Sequence, residues 1–110
     1  MTEPPRRLDF SVTEPVAHDA GVLDREAWVG GTRWALVEYS TGSSREEWCD
    51  TPHAGFVVSG AITYSFEDGR DALVIGLGEA FALPETPRHR GRNEGAEAAR
   101  LFLIDALPGV

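Results

Sequence analysis

Hydrophobic and polar residues alternate along most of this chain. The clearest case is residues 61–67, where Ile62, Tyr64 and Phe66 occupy alternate positions and polar residues lie between them. Alternate side chains of a β-strand point to opposite faces, so this pattern is typical of a strand with one buried face. Gly or Pro interrupts the alternation about every ten residues, and no segment carries an apolar stripe of helical period. The pattern predicts an all-β protein, either a sandwich or a barrel.

A two-residue turn is predicted at Asp68-Gly69, directly after the strand at residues 61–67. Both turn residues would adopt positive φ, which Asp and Gly tolerate better than most residues. Residues 71–77 are then expected to return as the antiparallel partner strand.

A second hairpin is predicted at Gly30-Gly31, between a strand at residues 26–29 and another at residues 32–39. Residues 101–104 form a continuous apolar run near the end of the chain. Such a run is typical of a strand that is buried on both faces.

The composition limits the class of protein. At 110 residues the chain is expected to form a single domain at residues 8–110, preceded by a flexible tail at residues 1–7. Its formal net charge of −8 argues against a nucleic-acid partner and against an anionic membrane surface, because both require a cationic face. No apolar stretch approaches the roughly 18 residues of a membrane-spanning helix. We therefore expect no nucleic-acid or membrane partner.

Lysine and cysteine usage narrows the chemistry further. The chain has no lysine, which excludes Schiff-base catalysis, pyridoxal phosphate attachment and a phosphate-loop lysine. We expect no organic cofactor. The single cysteine, Cys49, cannot form an internal disulfide, and this is consistent with a cytoplasmic location.

Two of the three histidines lie in two distinctive spacings. The first is Glu47-x-Cys49-x3-His53-x6-Gly60. The second is Gly78-x5-Pro84-x-Thr86-x2-His89-x3-Asn93. They resemble the two motifs of the cupin family, G-x5-H-x-H-x3,4-E-x6-G and G-x5-P-x-G-x2-H-x3-N. The resemblance covers about residues 42–104 and implies a single-domain cupin jelly-roll β-barrel.

The resemblance also implies a metal site. In the cupin family the first motif provides two His and one Glu to the metal, and the second provides one His. These positions fall on Glu47, Cys49, His53 and His89, all of which are residue types that can bind a metal. One thiolate with two imidazoles suits Zn(II) or Fe(II). A bound Glu47 would close a tetrahedral site, whereas its absence would leave a position open for water or substrate.

Each first-motif ligand also has a simpler interpretation. Cys49 suits a small buried apolar position. Glu47 lies in a charged run that is typical of a solvent-exposed face, although strand parity puts it on the same face as Cys49. His53 is also typical of a strand cap. These alternatives remain open at the level of the sequence.

Strand parity separates His89 from the neighbouring arginines. His89, Gly91 and Asn93 share one face, and the opposite face carries a row of three arginines, Arg88, Arg90 and Arg92. The row is expected to be a solvated edge paired with Glu side chains. A carboxylate or phosphate site is the alternative.

Aromatic residues on the predicted strands are candidates for the wall of a ligand pocket. They are Trp34, Tyr39, Tyr64, Phe66 and Phe81. The alternative for each is a place in the ordinary hydrophobic core.

Two functions are consistent with these features. The first is a small stand-alone cupin that binds a small organic molecule and a divalent metal, as an enzyme of the dioxygenase, isomerase or cyclase type. The second is a non-enzymatic ligand-binding or sensing module without a catalytic metal. In either case we expect a homodimer, because the apolar, β-prone residues 8–12 could pair with the sheet of a second copy.

Overall fold

The computed structural model describes residues 4–105. Residues 1–3 of the predicted tail and residues 106–110 of the predicted domain lie outside the described residues, so the division after residue 7 stays a prediction. The described chain contains a short 3₁₀ helix, Phe10–Val12, and nine strands. The strands are β1 (Val16–Asp19), β2 (Val22–Val29), β3 (Thr32–Tyr39), β4 (His53–Ser59), β5 (Ala61–Phe66), β6 (Leu73–Gly76), β7 (Ala80–Leu83), β8 (His89–Arg92) and β9 (Ala99–Asp105).

The strands form two antiparallel sheets that face each other as a jelly roll. The larger sheet has the order β1-β2-β3-β9-β4-β7, and the smaller has the order β6-β5-β8. The all-β jelly-roll prediction is therefore confirmed. Among residues 4–105, no helix has the length and apolarity needed to cross a lipid bilayer.

The hydrophobic core lies between the two sheets. Alternate residues of most strands point into it, as the sequence pattern predicts, whereas β1 contributes none of the core residues. The most completely buried large side chains are Val22, Val37, Val57, Ile62 and Leu101, each 0% exposed. The apolar run at residues 101–104 lies in β9 as predicted, but it is not buried on both faces. Leu101 and Leu103 are buried in the core, whereas Phe102 lies on the outer face and is only half-buried, against Phe10 and Trp34.

The two predicted hairpins have different outcomes. Gly30 and Gly31 join β2 to β3 with φ angles of 56° and 81°, which confirms a two-residue turn. The tight turn predicted at Asp68-Gly69 is wrong: only Gly69 has a positive φ, and residues 67–72 all lie in the connection between β5 and β6. The Asp68 carboxylate instead accepts hydrogen bonds from the backbone and side chain of Arg70, which stabilises a wider loop.

The strand expected at residues 8–12 is also wrong. Asp9 caps the 3₁₀ helix by accepting a hydrogen bond from the Ser11 amide at 3.0 Å. The Phe10 ring packs against Phe102, with 6.2 Å between ring centroids. This segment therefore covers part of the chain's own outer sheet face and does not offer a strand edge to a second copy.

Candidate metal centre

A cavity of about 780 Å³ opens between the two sheets and is lined by residues from both. Three potential metal ligands converge on its wall, Cys49, His53 and His89. Their nearest donor atoms all lie within 4.8 Å of one another. Cys49 Sγ is 3.7 Å from His53 Nε2, and the two imidazole centroids are 5.1 Å apart. Both motif histidines thus lie in one pocket.

The backbone fixes the relative position of Cys49 and His89. The two residues exchange a pair of hydrogen bonds, from the Cys49 amide to the His89 carbonyl at 2.8 Å and from the His89 amide to the Cys49 carbonyl at 3.0 Å. His53 reaches the same site from the larger sheet, as the first residue of β4, where it pairs with Leu83 and Asp105. The site thus joins the two sheets at one point.

His89 is the most unusual polar residue of the site. It is 2% exposed, and neither of its ring nitrogens has a hydrogen-bond partner within the described chain. Its ring lies between His53 and Tyr64, whose ring centroid is 5.7 Å away. Burial lowers the pKa of His89 to about 4, and the neighbouring His53 adds to this effect. The imidazole is therefore neutral near pH 7 and has a free lone pair.

His53 is held by a carboxylate that the sequence analysis missed. Asp105 Oδ1 lies 2.9 Å from His53 Nδ1, although the ring N–H is not aligned with it well enough to form a hydrogen bond. Burial lowers the pKa of His53, and Asp105 opposes that effect. With Nδ1 against Asp105, Nε2 is directed towards Cys49. Strand parity could have indicated that Asp105 points inward, since it lies two positions after Leu103 and four after Leu101, which are both buried.

The three donors fit a divalent metal ion of intermediate softness. Two ligands on one tetrahedral zinc lie roughly 3.5 Å apart, given metal–ligand bonds of about 2.0–2.3 Å, and the Cys49–His53 donor distance of 3.7 Å is close to this. The Thr51 amide donates a hydrogen bond to Cys49 Sγ at 3.4 Å, which helps to fix the position of the sulfur. A bound ion would also satisfy the unpartnered His89 nitrogen.

Glu47, the fourth predicted ligand, is exposed and is not part of this cluster. The backbone explains its position. Ser44 pairs with Arg92 and Cys49 pairs with His89. The two paired residues are five positions apart in the first segment and only three positions apart in β8. The two extra residues make a bulge at residues 45–48, and strand parity does not hold across a bulge. Glu47 lies at the mouth of the cavity.

Only two of the five predicted pocket aromatics line the cavity. Tyr39 and Tyr64 do so, and burial raises the pKa of both, which keeps the phenols neutral. The prediction is wrong for Trp34, which faces the outer side of the larger sheet and packs against Phe102 at 5.8 Å.

It is wrong as well for Phe66 and Phe81, which belong to the hydrophobic core. Phe81 contacts the Tyr64 ring at 5.3 Å from within the core, and Phe66 packs against the same core. Two tryptophans that the sequence analysis did not select, Trp28 and Trp48, do line the cavity. Trp28 lies on the same face of β2 as Asp24 and Glu26, which also line the cavity, but the sequence pattern does not show which face of β2 is inward.

A buried ion-pair network forms another part of the wall. Asp24 is 2% exposed and lies 2.9 Å from both Arg33 and Arg45. Arg33 also reaches Asp105 at 3.5 Å, and Arg45 reaches Asp19 at 3.3 Å. The network links the carboxylate beside His53 to the opposite side of the cavity.

The predicted arginine row divides into two kinds of position. Arg88 pairs with Glu67, and Arg92 pairs with Glu94 at 3.0 Å, as expected for a solvated edge. Arg90 instead lies over the Trp48 ring, 4.2 Å from its centroid, at the mouth of the cavity.

The chain matches no protein-family model and no curated protein sequence. Solved structures are similar over most of its length. The polyketide cyclase RemF from Streptomyces resistomycificus has a TM-score of 0.76 and 14% identity, covering 92% of this chain and 78% of the cyclase. A sugar phosphate isomerase of the cupin superfamily from Silicibacter pomeroyi has a TM-score of 0.71 and 14% identity, covering 94% of this chain and 77% of that one. This chain has a cupin fold. KdgF from Halomonas sp. has a TM-score of 0.71 and 15% identity, covering 96% of this chain and 97% of KdgF. At these identities the similarity establishes the fold alone.

Proposed function

We propose that this cupin binds a small organic molecule in its cavity, beside a divalent metal ion held by Cys49, His53 and His89. The observation that carries the proposal is His89, a fully buried imidazole with two unpartnered nitrogens that faces two other potential ligands. A polar group in this state costs free energy unless a ligand satisfies it. Zn(II) and Fe(II) are the ions that suit one thiolate and two imidazoles.

The site is proposed to be catalytic, of the dioxygenase, isomerase or cyclase type. A three-residue ligand set leaves a position open for substrate, and a bound ion would supply Lewis-acid or oxygen chemistry there. A cyclase and an isomerase are among the structures that share the fold.

The residues of the chain have separate roles in this proposal. Asp105 orients His53 through its Nδ1. The neutral Tyr64 phenol lies beside His89 and can donate a hydrogen bond to an oxygen of the ligand. The depth of His89 keeps bulk water away from the reacting atoms.

Elemental analysis tests the metal site directly. Protein purified without chelator or affinity metal is expected to contain about one zinc or iron per chain, and His89→Ala and Cys49→Ser are expected to lose most of it. The matched control is His18→Ala, since His18 is the third histidine and also lines the cavity but lies outside the ligand cluster. A metal-free wild-type protein, or equal content in all variants, would overturn the proposal.

A second candidate is a ligand-binding or sensing module without a catalytic metal. It is favoured by the change of ligand type at three of the four family positions, Glu47, Cys49 and His53. Metal-free protein that still binds organic molecules in the cavity would support this alternative.

A further inference from the structure

The lining of the cavity has a strong excess of negative charge. Seven carboxylates and three guanidinium groups line it. An excess of one sign in a cleft repels a ligand of the same sign and attracts one of the opposite sign. The class of ligand therefore depends on whether any guanidinium is available to receive an anion.

The two guanidiniums deep in the wall already have carboxylate partners. Arg33 contacts Asp24 at 2.9 Å and Asp105 at 3.5 Å, and it also contacts Glu26. Because these contacts use Nε, Nη1 and Nη2, each nitrogen of the Arg33 guanidinium already faces a carboxylate.

Arg45 is engaged in the same way. Its Nη2 lies 2.9 Å from Asp24, its Nη1 lies 3.3 Å from Asp19, and its Nε donates to the Tyr39 hydroxyl at 3.2 Å. An anionic ligand would have to displace one of these partners, which would leave a carboxylate without its counter-charge.

The third guanidinium, Arg90, lies flat over Trp48 and donates to the Glu46 carbonyl at 3.2 Å. Around it, the carboxylates of Glu46, Glu47 and Asp50 are exposed at the mouth of the cavity. Among the described residues, none of these three carboxylates takes part in an ion pair. The single Arg90 guanidinium does not offset these three carboxylates, so the entrance carries a net negative charge of about −2.

The mouth also carries aromatic surface. Trp28 lines the cavity and is 62% exposed, and Trp48 lines it from the bulge at residues 45–48. An exposed indole at a cavity mouth provides a flat face for a planar ligand, and its negative quadrupole favours cations.

We propose that the cavity selects a planar organic molecule that is neutral or cationic, and that it discriminates against phosphate esters and carboxylates. This inference rests on the proposed function, since it names the ligand class for the same cavity. A net charge of about −2 at a distance of about 8 Å in water corresponds to roughly fivefold weaker binding of a monoanion than of a neutral analogue.

The test uses three probes with one ring system: 2-naphthol, (2-naphthylmethyl)ammonium and 2-naphthoate. Calorimetric titration near pH 7 is carried out on the protein as purified and after chelation. The ammonium and the naphthol are expected to bind at least about fivefold more tightly than the carboxylate. Raising the salt concentration from about 20 to about 500 mM should reduce this difference, because the screening length falls from about 20 to about 4 Å. Trp28→Ala should weaken the binding of all three probes about fivefold or more.

Two triple variants distinguish an effect of the carboxylates at the mouth of the cavity from an effect of the protein's net charge. The triple variant Glu46→Gln, Glu47→Gln, Asp50→Asn is expected to bring naphthoate within about threefold of naphthol. The control Glu14→Gln, Asp71→Asn, Glu97→Gln makes the same change in net charge at exposed positions outside the cavity, and it should keep the wild-type order.

Three results would overturn the inference: naphthoate binding as tightly as naphthol to the wild type, equal responses of the two triple variants, or no binding of any probe below about 1 mM. Metal content measured on the same samples keeps the two proposals distinct. If the protein contains no metal but binds the three probes in the expected order, only the metal proposal is overturned. If the protein contains the metal but binds the probes in another order, only this inference is overturned.

Discussion

Replacing Asp24 with Asn removes the central charge of the buried network without changing its shape. The Asp24 carboxylate is 2% exposed and accepts three hydrogen bonds, one from Arg33 at 2.9 Å and two from Arg45 at 2.9 and 3.1 Å. An amide keeps one acceptor oxygen but loses the negative charge. Its NH₂ group would then point at a guanidinium, donor against donor.

The expected loss of stability follows from these contacts. Removing one partner of a buried ion pair costs about 3–5 kcal/mol. The lower end of this range applies, because Arg33 and Arg45 are 16% and 22% exposed and each still forms an ion pair with at least one other carboxylate. We expect about 3 kcal/mol, which for a chain of 110 residues lowers Tm by about 12 °C.

Thermal unfolding followed by circular dichroism measures this loss. The control is Glu38→Gln, which removes an exposed partner of Arg100 at 3.5 Å and is expected to cost less than about 0.5 kcal/mol. The same Asp24→Asn protein should bind 2-naphthoate more tightly than the wild type, because two guanidiniums lose part of their counter-charge. A Tm within about 2 °C of the wild type would refute the contribution to stability that is assigned to this ion-pair network.

Three further predictions concern the thiol, the packing and the assembly. Alkylation of Cys49 is expected to be slow in native protein and faster after chelation and in His89→Ala; equal rates in all three folded samples would remove Cys49 from the metal site. Gly55→Ala should lower the free energy of unfolding in urea by about 2 kcal/mol or more, because a Cβ there would lie 2.6 Å from the Phe102 carbonyl oxygen. The control Gly76→Ala, whose Cβ would have its nearest contact at 3.4 Å, should lower it by less than about 1 kcal/mol. Equal losses in the two variants would contradict this account of the packing. Although residues 8–12 pack on the chain's own sheet, the edge strands β1 and β6 carry exposed apolar residues, Val16, Leu73 and Val74, that a second copy could cover. Light scattering at micromolar concentration is therefore expected to give twice the chain mass of 12.0 kDa, and a stable particle of 12.0 kDa would argue against the homodimer.

Much of the fold could be predicted because it depends on local pattern. Strand parity identified the inward faces of β5 and β8, and Gly30-Gly31 identified a turn whose two positive φ angles glycine adopts without strain. The motif spacing located His53 and His89, since each begins a strand whose register holds its side chain inside.

The rest depends on contacts between distant segments. Asp105 meets His53 only because β9 and β4 pair, and no local signal near either residue specifies that register. Glu47 was misplaced because parity assumes regular pairing, whereas the segment bulges against β8. Trp34 and Trp28 both lie in alternating strands, so the sequence alone could not show which of them faces the cavity.

The bulge at residues 45–48 has a consequence for how this cavity can change. Cys49 is anchored to His89 by its own backbone pair, and Arg45 is anchored to Gly91 by its amide. Between them, the contacts of Glu46 use its backbone, which donates to Asp19 and accepts from Arg90. Side-chain substitutions can therefore alter Glu46, Glu47 and Trp48 while these backbone contacts and the positions of the ligand residues stay the same. Under the proposed function, the residues that meet an incoming molecule at the mouth are different from those that would hold the ion, and the first set can be substituted while the second keeps its geometry.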